Sequence, residues 1–141
     1  MQEYIDFVVE NPLYFIGLIV VLGFIIKLET SRFTRKYNMV NTNEAVKLMN
    51  NDDTIVVDVR EDKEIKSGII QGAQHITLGQ LPDRMGHLGT NKQVPILVYC
   101  KSGTRSSSAC QSIVKAGFEN VSALTGGILS WEAANLPTVK R

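Results

Sequence analysis

The chain has 141 residues, 44% of them hydrophobic and 21% charged, with a formal net charge of +1. That length admits one compact domain of about 100 residues plus an appendage. A charge so near zero argues against a nucleic-acid surface, which needs a basic stripe. Two cysteines are too few for a disulfide framework.

In chain order, residues 11–26 (NPLYFIGLIVVLGFII) come first as an uncharged run bracketed by Glu10 and Lys27. As a helix at about 1.5 Å per residue this run is roughly 24 Å long, slightly under the ~30 Å core of a bilayer. It stands outside the pattern that builds the rest of the chain and has no core to join. It therefore reads as one retained transmembrane helix over residues 11–27. A cleaved signal peptide would start with basic residues and end in small ones, whereas this start is acidic (Glu3, Asp6, Glu10). Lys27, Arg32, Arg35 and Lys36 follow the run, and no Lys or Arg precedes it. The positive-inside rule then puts residues 1–10 outside the inner or plasma membrane and the rest in the cytoplasm. Residues 28–38 read as a basic linker, with Tyr4 and Tyr37 as interfacial anchors. Free thiols suit that reducing side.

Residues 39–141 alternate short apolar runs with amphipathic stretches. Asn41 and Glu44 have capping-box spacing, ahead of a helix with Ala45, Val46, Leu48 and Met49 on its apolar face. Thr54–Val57 reads as a buried strand ending at Asp58, Glu61–Lys66 as a short surface helix, and Gln74–Ile76 as a brief strand. Thr77 caps a further helix through Met85. Pro95–Tyr99 is the clearest strand. Then come a helix from Arg105 to Ala116 stopped by Gly117, a strand over Asn120–Leu124, and a last helix over Gly127–Ala134. Strands separated by helices predict a mostly parallel sheet covered on both faces. Ligands of such sheets bind beyond the carboxyl ends of the strands, which is where Cys100 falls.

The segment CKSGTRS (100–106) joins that strand directly to a helix, with Gly103 in the middle. A loop so tight must curl, so its N–H groups converge with those of the helix start, and the helix dipole adds positive charge. A cysteine sulfur inside that ring has a lowered pKa. Moving a thiol from about 8.5 to about 6.5 takes roughly 2.7 kcal/mol of preference for the thiolate, within reach of a few charge-assisted hydrogen bonds at about 1.5–3 kcal/mol each. Phosphatases with a comparable cradle place the arginine six residues after the cysteine. Here Arg105 is five after Cys100, a smaller loop suited to one extra sulfur atom rather than to a phosphate or arsenate.

From about residue 39 to the end the chain resembles a single-domain rhodanese. CKSGTRS resembles the family's active-site loop. VVDVREDKEIKSGIIQGAQHI resembles its first signature through Asp58, Arg60, Glu64, Gly68, Gly72 and Ala73. GGILSWEAANLP resembles its closing signature through Gly126, Gly127, Trp131, Leu136 and Pro137. One departure is Ile69, where family members usually carry a histidine; that position reads as structural. The resemblance implies a rhodanese-like three-layer α/β domain with a mostly parallel five-stranded sheet. It also implies a sulfurtransferase whose Cys100 thiolate takes a sulfane sulfur from thiosulfate or a persulfide and passes it to a thiol or cyanide. The Cys100 persulfide would be bound by Lys101, Ser102, Gly103, Thr104 and Arg105, without a metal or organic cofactor. Beyond the small donor and acceptor, the expected partners are the membrane and a membrane or sulfur-relay protein. The alternative is a membrane-tethered interaction module with little or no turnover.

Other residues read more plainly. Asp58 and Arg60, at the end of an adjacent strand, fit an ion pair that braces the site rather than direct chemistry. Arg105 at a helix start is an electrostatically poor place for a cation unless it faces an anion, and Lys101 is placed to attract an anionic donor. Cys110 lies on an apolar helix stripe and reads as core, as does Trp131. His75 and His87 lack partners at the spacing of a metal site or a triad.

Overall fold

The computed structural model of the chain describes the backbone of residues 12–33 and 36–140, and the side chains of residues 12–26 and 36–140. The chain divides into two units between Arg35 and Lys36.

The first unit contributes α1, Pro12–Phe33. Proline suits a first helical position, where its missing N–H would have had no partner. The following side chains leave their apolar surface open, with Leu13 79% and Ile19 68% exposed. Among the described residues, however, no helix is long and apolar enough to cross a membrane. The described side chains of α1, residues 12–26, form an uncharged stretch that rises about 22 Å. The transmembrane helix expected over 11–27 is therefore not found as a span among the described residues; α1 is described from Pro12 and runs on past Lys27. Residues 1–10 and the side chains of Lys27, Arg32 and Arg35, on which the orientation rested, lie outside the described residues. Tyr37 is no interfacial anchor: it is buried in the core of the second unit.

The second unit is built on five strands: β1 (Asn38–Val40), β2 (Ile55–Asp58), β4 (Gln74–His75), β5 (Ile96–Tyr99) and β6 (Val121–Leu124). Their order is β1-β6-β5-β2-β4, and every pairing is parallel. Because strand side chains alternate between faces, a sheet covered on both sides needs apolar residues at consecutive positions. Ile96, Val98, Val57, Val121 and Ala123 pack on one face with Ala109, Cys110 and Ile113 of α3 (Thr104–Lys115). Leu97, Tyr99, Val56 and Leu124 pack on the other with Ala45 of α2 (Thr42–Met49) and with Ile128 and Trp131 of α4 (Gly127–Ala133). A small antiparallel pair, β3 (Ile69–Ile70) with β7 (Thr138–Val139), folds the tail back against the first signature.

Helix α2 starts with the expected capping box, Asn41 and Glu44 each accepting the other's N–H at 3.0 and 2.8 Å. Two expected helices do not form. Over 77–85 the chain makes successive turns before a 3-10 turn at Met85–Leu88. Pro82 supplies no N–H for a helical ladder, while the fully buried Leu81 and Leu88 pin the segment. Over 61–66 the Glu64 carboxylate turns back onto the Glu61 N–H (2.9 Å), and Arg60 takes the Glu64 carbonyl (3.3 Å). Only a 3-10 turn at Ile65–Ser67 remains.

Candidate active site

Strand β5 lies in the middle of the sheet, and the chain leaves its carboxyl end at Cys100 to enter α3 four residues later. Gly103 closes that turn with φ 107°, a conformation L side chains rarely adopt, and this aims its N–H at Cys100 Sγ, 3.1 Å away. The Cys100 thiol in turn donates to Ser106 Oγ at 3.7 Å. The cysteine is only 1% exposed. Burial alone would push its pKa up. It is outweighed by hydrogen bonds from the Ser106 N–H and hydroxyl and from the Gly103 and Ser102 N–H groups, so the net shift is downward. The sulfur is buried, yet its surroundings favour the thiolate more than burial alone would allow.

The start of the loop is fixed from α4. Ile128 N–H donates to the Cys100 carbonyl at 2.9 Å and Leu129 N–H to the Lys101 carbonyl at 3.3 Å. Gly127, at φ 61°, permits this approach: a Cβ there would meet the Cys100 and Lys101 carbonyl groups, with the Lys101 oxygen at 2.6 Å. At the end of the adjacent strand β2, Arg60 and Asp58 form a buried ion pair. Arg60 Nη2 donates to Asp58 Oδ2 at 2.7 Å and Nε donates to both oxygens at 3.0 Å. The same guanidinium reaches the Gly68 carbonyl at 2.7 Å, so it braces the whole 60–68 turn. The turn then meets the Cys100 loop through a bidentate pair, Arg105 Nη1 and Nη2 donating to Glu64 Oε2 and Oε1 at 2.6 and 2.8 Å. Arg105, first among the causes, holds the Glu64 carboxyl well below its ordinary range, at about 2.

The rhodanese-like domain family matches this chain over residues 41–134. The chain belongs to the rhodanese family. A protein of Escherichia coli K12, the uncharacterized YibN, is 30% identical over 141 residues, 99% of each chain, so the likeness takes in the N-terminal segment. A sulfurtransferase of Allochromatium vinosum is 34% identical over 93 residues, 66% of this chain and 85% of that protein. Among solved structures, the polysulfide-sulfur transferase homodimer of Wolinella succinogenes is 25% identical. It superposes with a TM-score of 0.69 over 84% of this chain and 90% of its own. Such relatives support a general sulfurtransferase role for this rhodanese.

In this rhodanese domain the residues singled out in the sequence take different places. Cys100, Gly103 and the N–H of Ser102 converge on one sulfur. Lys101 and Thr104 are exposed on the loop, Lys101 lining a cleft of about 190 Å³ with Lys63, Glu64 and Glu132. Arg105 does face an anion, but that anion is the protein's own Glu64. Asp58 and Arg60 stand behind the 60–68 turn. Cys110 is fully buried, and burial pushes its thiol up to about 12. His75 carries the Arg60 carbonyl on Nε2 at 2.8 Å. Among the described residues no group of three His, Cys, Asp or Glu side chains converges as a metal site.

Sequence reasoning missed Ser106, which was passed over as the end of a motif. It also took Glu64 and Gly127 only as matching letters. The helix start at Thr104 puts residue 106 in the first turn, where its N–H is free of helical bonding and points back at the strand end. That signal was available in the spacing alone.

Proposed function

We propose that this rhodanese domain transfers sulfane sulfur through a persulfide on Cys100. The observation that carries this reading is the Gly103 N–H on Cys100 Sγ, with the Ser106 and Ser102 donors around the same atom. With thiosulfate as donor, the Cys100 thiolate attacks the outer sulfur. The thiosulfate S–S bond breaks, sulfite leaves with its electron pair, and Cys100 carries the outer sulfur as an anionic persulfide. A thiolate or cyanide then attacks that sulfur, the new S–S bond breaks, and the Cys100 thiolate returns. Lys101, beside Lys63 at the cleft, supports an anionic donor such as thiosulfate through its charge. Thr104 and Arg105 open the helix whose N–H groups face the loop.

The test is intact-protein mass spectrometry after thiosulfate treatment. The expected result is a gain of one sulfur atom, reversed by cyanide and absent in Cys100→Ser. A wild-type chain that gains no sulfur from thiosulfate or a protein persulfide would favour the interaction-module reading. Turnover of phosphate esters or arsenate would point to the oxyanion chemistry that the five-residue Cys–Arg spacing argues against.

We propose further that the chain is held at a membrane through α1, with the rhodanese domain on the cytoplasmic side. The open apolar surface of α1 and the basic residues at and beyond its end support that placement. Sedimentation of the chain with and without residues 1–35 tests it.

A further inference from the structure

A closed circuit of hydrogen bonds surrounds the Cys100 sulfur. Gly103 N–H donates to Sγ at 3.1 Å, the thiol donates to Ser106 Oγ at 3.7 Å, and the Ser106 hydroxyl donates to the Gly103 carbonyl at 2.9 Å. That carbonyl has two further donors, the Ser107 hydroxyl at 3.0 Å and the Ser107 N–H at 3.3 Å. A carbonyl oxygen offers two lone pairs. The Ser106 proton can therefore leave it without creating a buried unsatisfied acceptor. Ser106 has no solvent exposure, so no water takes its place, and its proton must point at one protein acceptor or another.

We propose that Ser106 is a hydroxyl switch at the reacting sulfur: its proton points to the Gly103 carbonyl while Cys100 is a thiol or a persulfide, and turns to Sγ whenever that sulfur is a thiolate. A thiol uses the hydroxyl as an acceptor. Once the thiol proton is gone, Sγ is an acceptor only, and a charge-assisted bond to it is the stronger choice. Burial pushes the thiol up, and the N–H and hydroxyl of Ser106 are the foremost groups working the other way.

The catalytic consequence rests on the sulfurtransferase reading. When the persulfide forms, Sγ becomes a neutral sulfur with two bonds and the charge moves to the outer sulfur, so the Ser106 proton returns to Gly103. When the acceptor attacks the outer sulfur, the S–S bond breaks and Sγ leaves with the electron pair. The Ser106 proton meets that charge as it develops, which is where a donor accelerates a step. Ser106 thus serves both halves, for the attacking and for the departing thiolate.

The experiment uses the full chain and reads iodoacetamide alkylation of Cys100 against pH, which needs no sulfur donor. In Ser106→Ala the apparent pKa of Cys100 rises by about one unit, and discharge of a preloaded persulfide by cyanide slows about tenfold. Ser106→Thr keeps the hydroxyl and returns both towards wild type. A wild-type pH profile in Ser106→Ala overturns the proposal. So does a folded Ser106→Thr that shifts as far as the alanine variant. Should the threonine methyl prevent folding, the alanine profile decides alone. A shifted profile in a chain that never accepts sulfur would retain the thiolate switch while sinking the sulfurtransferase reading.

Discussion

The two cysteines lie ten positions apart and in opposite chemical states. Cys110 is buried without compensation and its thiol is pushed up to about 12. Cys100 is almost as buried, yet its pKa moves down. Burial is common to both; the difference is the set of donors at the mouth of α3. Those donors are only as good as the backbone that aims them, and the residue that fixes the start of that backbone is Gly127. In Gly127→Ala a Cβ must share space with the Cys100 and Lys101 carbonyl groups at a φ of 61°. The expected cost is roughly 2–3 kcal/mol of stability from strain and displacement, together with slower persulfide loading in the fraction that remains folded. Denaturant unfolding and the sulfur-loading assay measure the two effects separately. Wild-type values for both would mean that α4 does not brace the loop.

At the scale of elements, the Cys100 loop is joined to the first signature by Arg105 and Glu64, and the signature turn is braced by Arg60 on Asp58 and the Gly68 carbonyl. The Arg105–Glu64 link has a pH signature. The Glu64 carboxyl lies near 2 in the fold against an ordinary 4.5, because Arg105 hydrogen-bonds it. A depressed carboxylate stabilises the fold above its unfolded pKa, and that contribution fades as pH falls through the folded value. The stability difference between wild type and Glu64→Gln should therefore be largest at neutral pH and shrink between about pH 4.5 and 2. Urea unfolding of both proteins across that range checks it; a difference independent of pH would remove Glu64 from the account.

The same elements mark how far the sequence could be read. Four of the five parallel strands were legible, Ile96–Tyr99 and Val56–Val57 as unbroken apolar runs because both sheet faces are covered; β1, three residues long with only Val40 buried, left no such run to read. Asn41 and Glu44 announced a helix start through a local interaction. The expected helices over 61–66 and 77–85 failed for opposite reasons. In the first, a tertiary claim by Arg60 and a back-turned Glu64 carboxylate replaced the helical ladder. In the second, Pro82 supplies no N–H for the helical ladder that the capping Thr77 predicts. Arg105 was expected to face an anion, and no local pattern could say that the anion lies 41 residues away.

For the whole molecule, the folded core and the proposed tether fall in different segments. Residues 36–141 form a unit with an apolar cluster on each face of one sheet, and the family match over 41–134 falls wholly inside it. The apolar side chains of α1 are left largely exposed, and the likeness to the Escherichia coli relative extends over them. An open apolar surface such as that of Leu13 and Ile19 gains free energy when it leaves water for lipid. A chain beginning at Lys36 should therefore unfold within about 0.5 kcal/mol of the full chain and take up sulfur on Cys100 equally well. It should also remain in the supernatant, while the full chain sediments with membranes and is released by detergent rather than by high salt. Release by salt alone would identify the basic flank, not α1, as the attachment. Loss of stability on truncation would make α1 part of the fold instead of its tether.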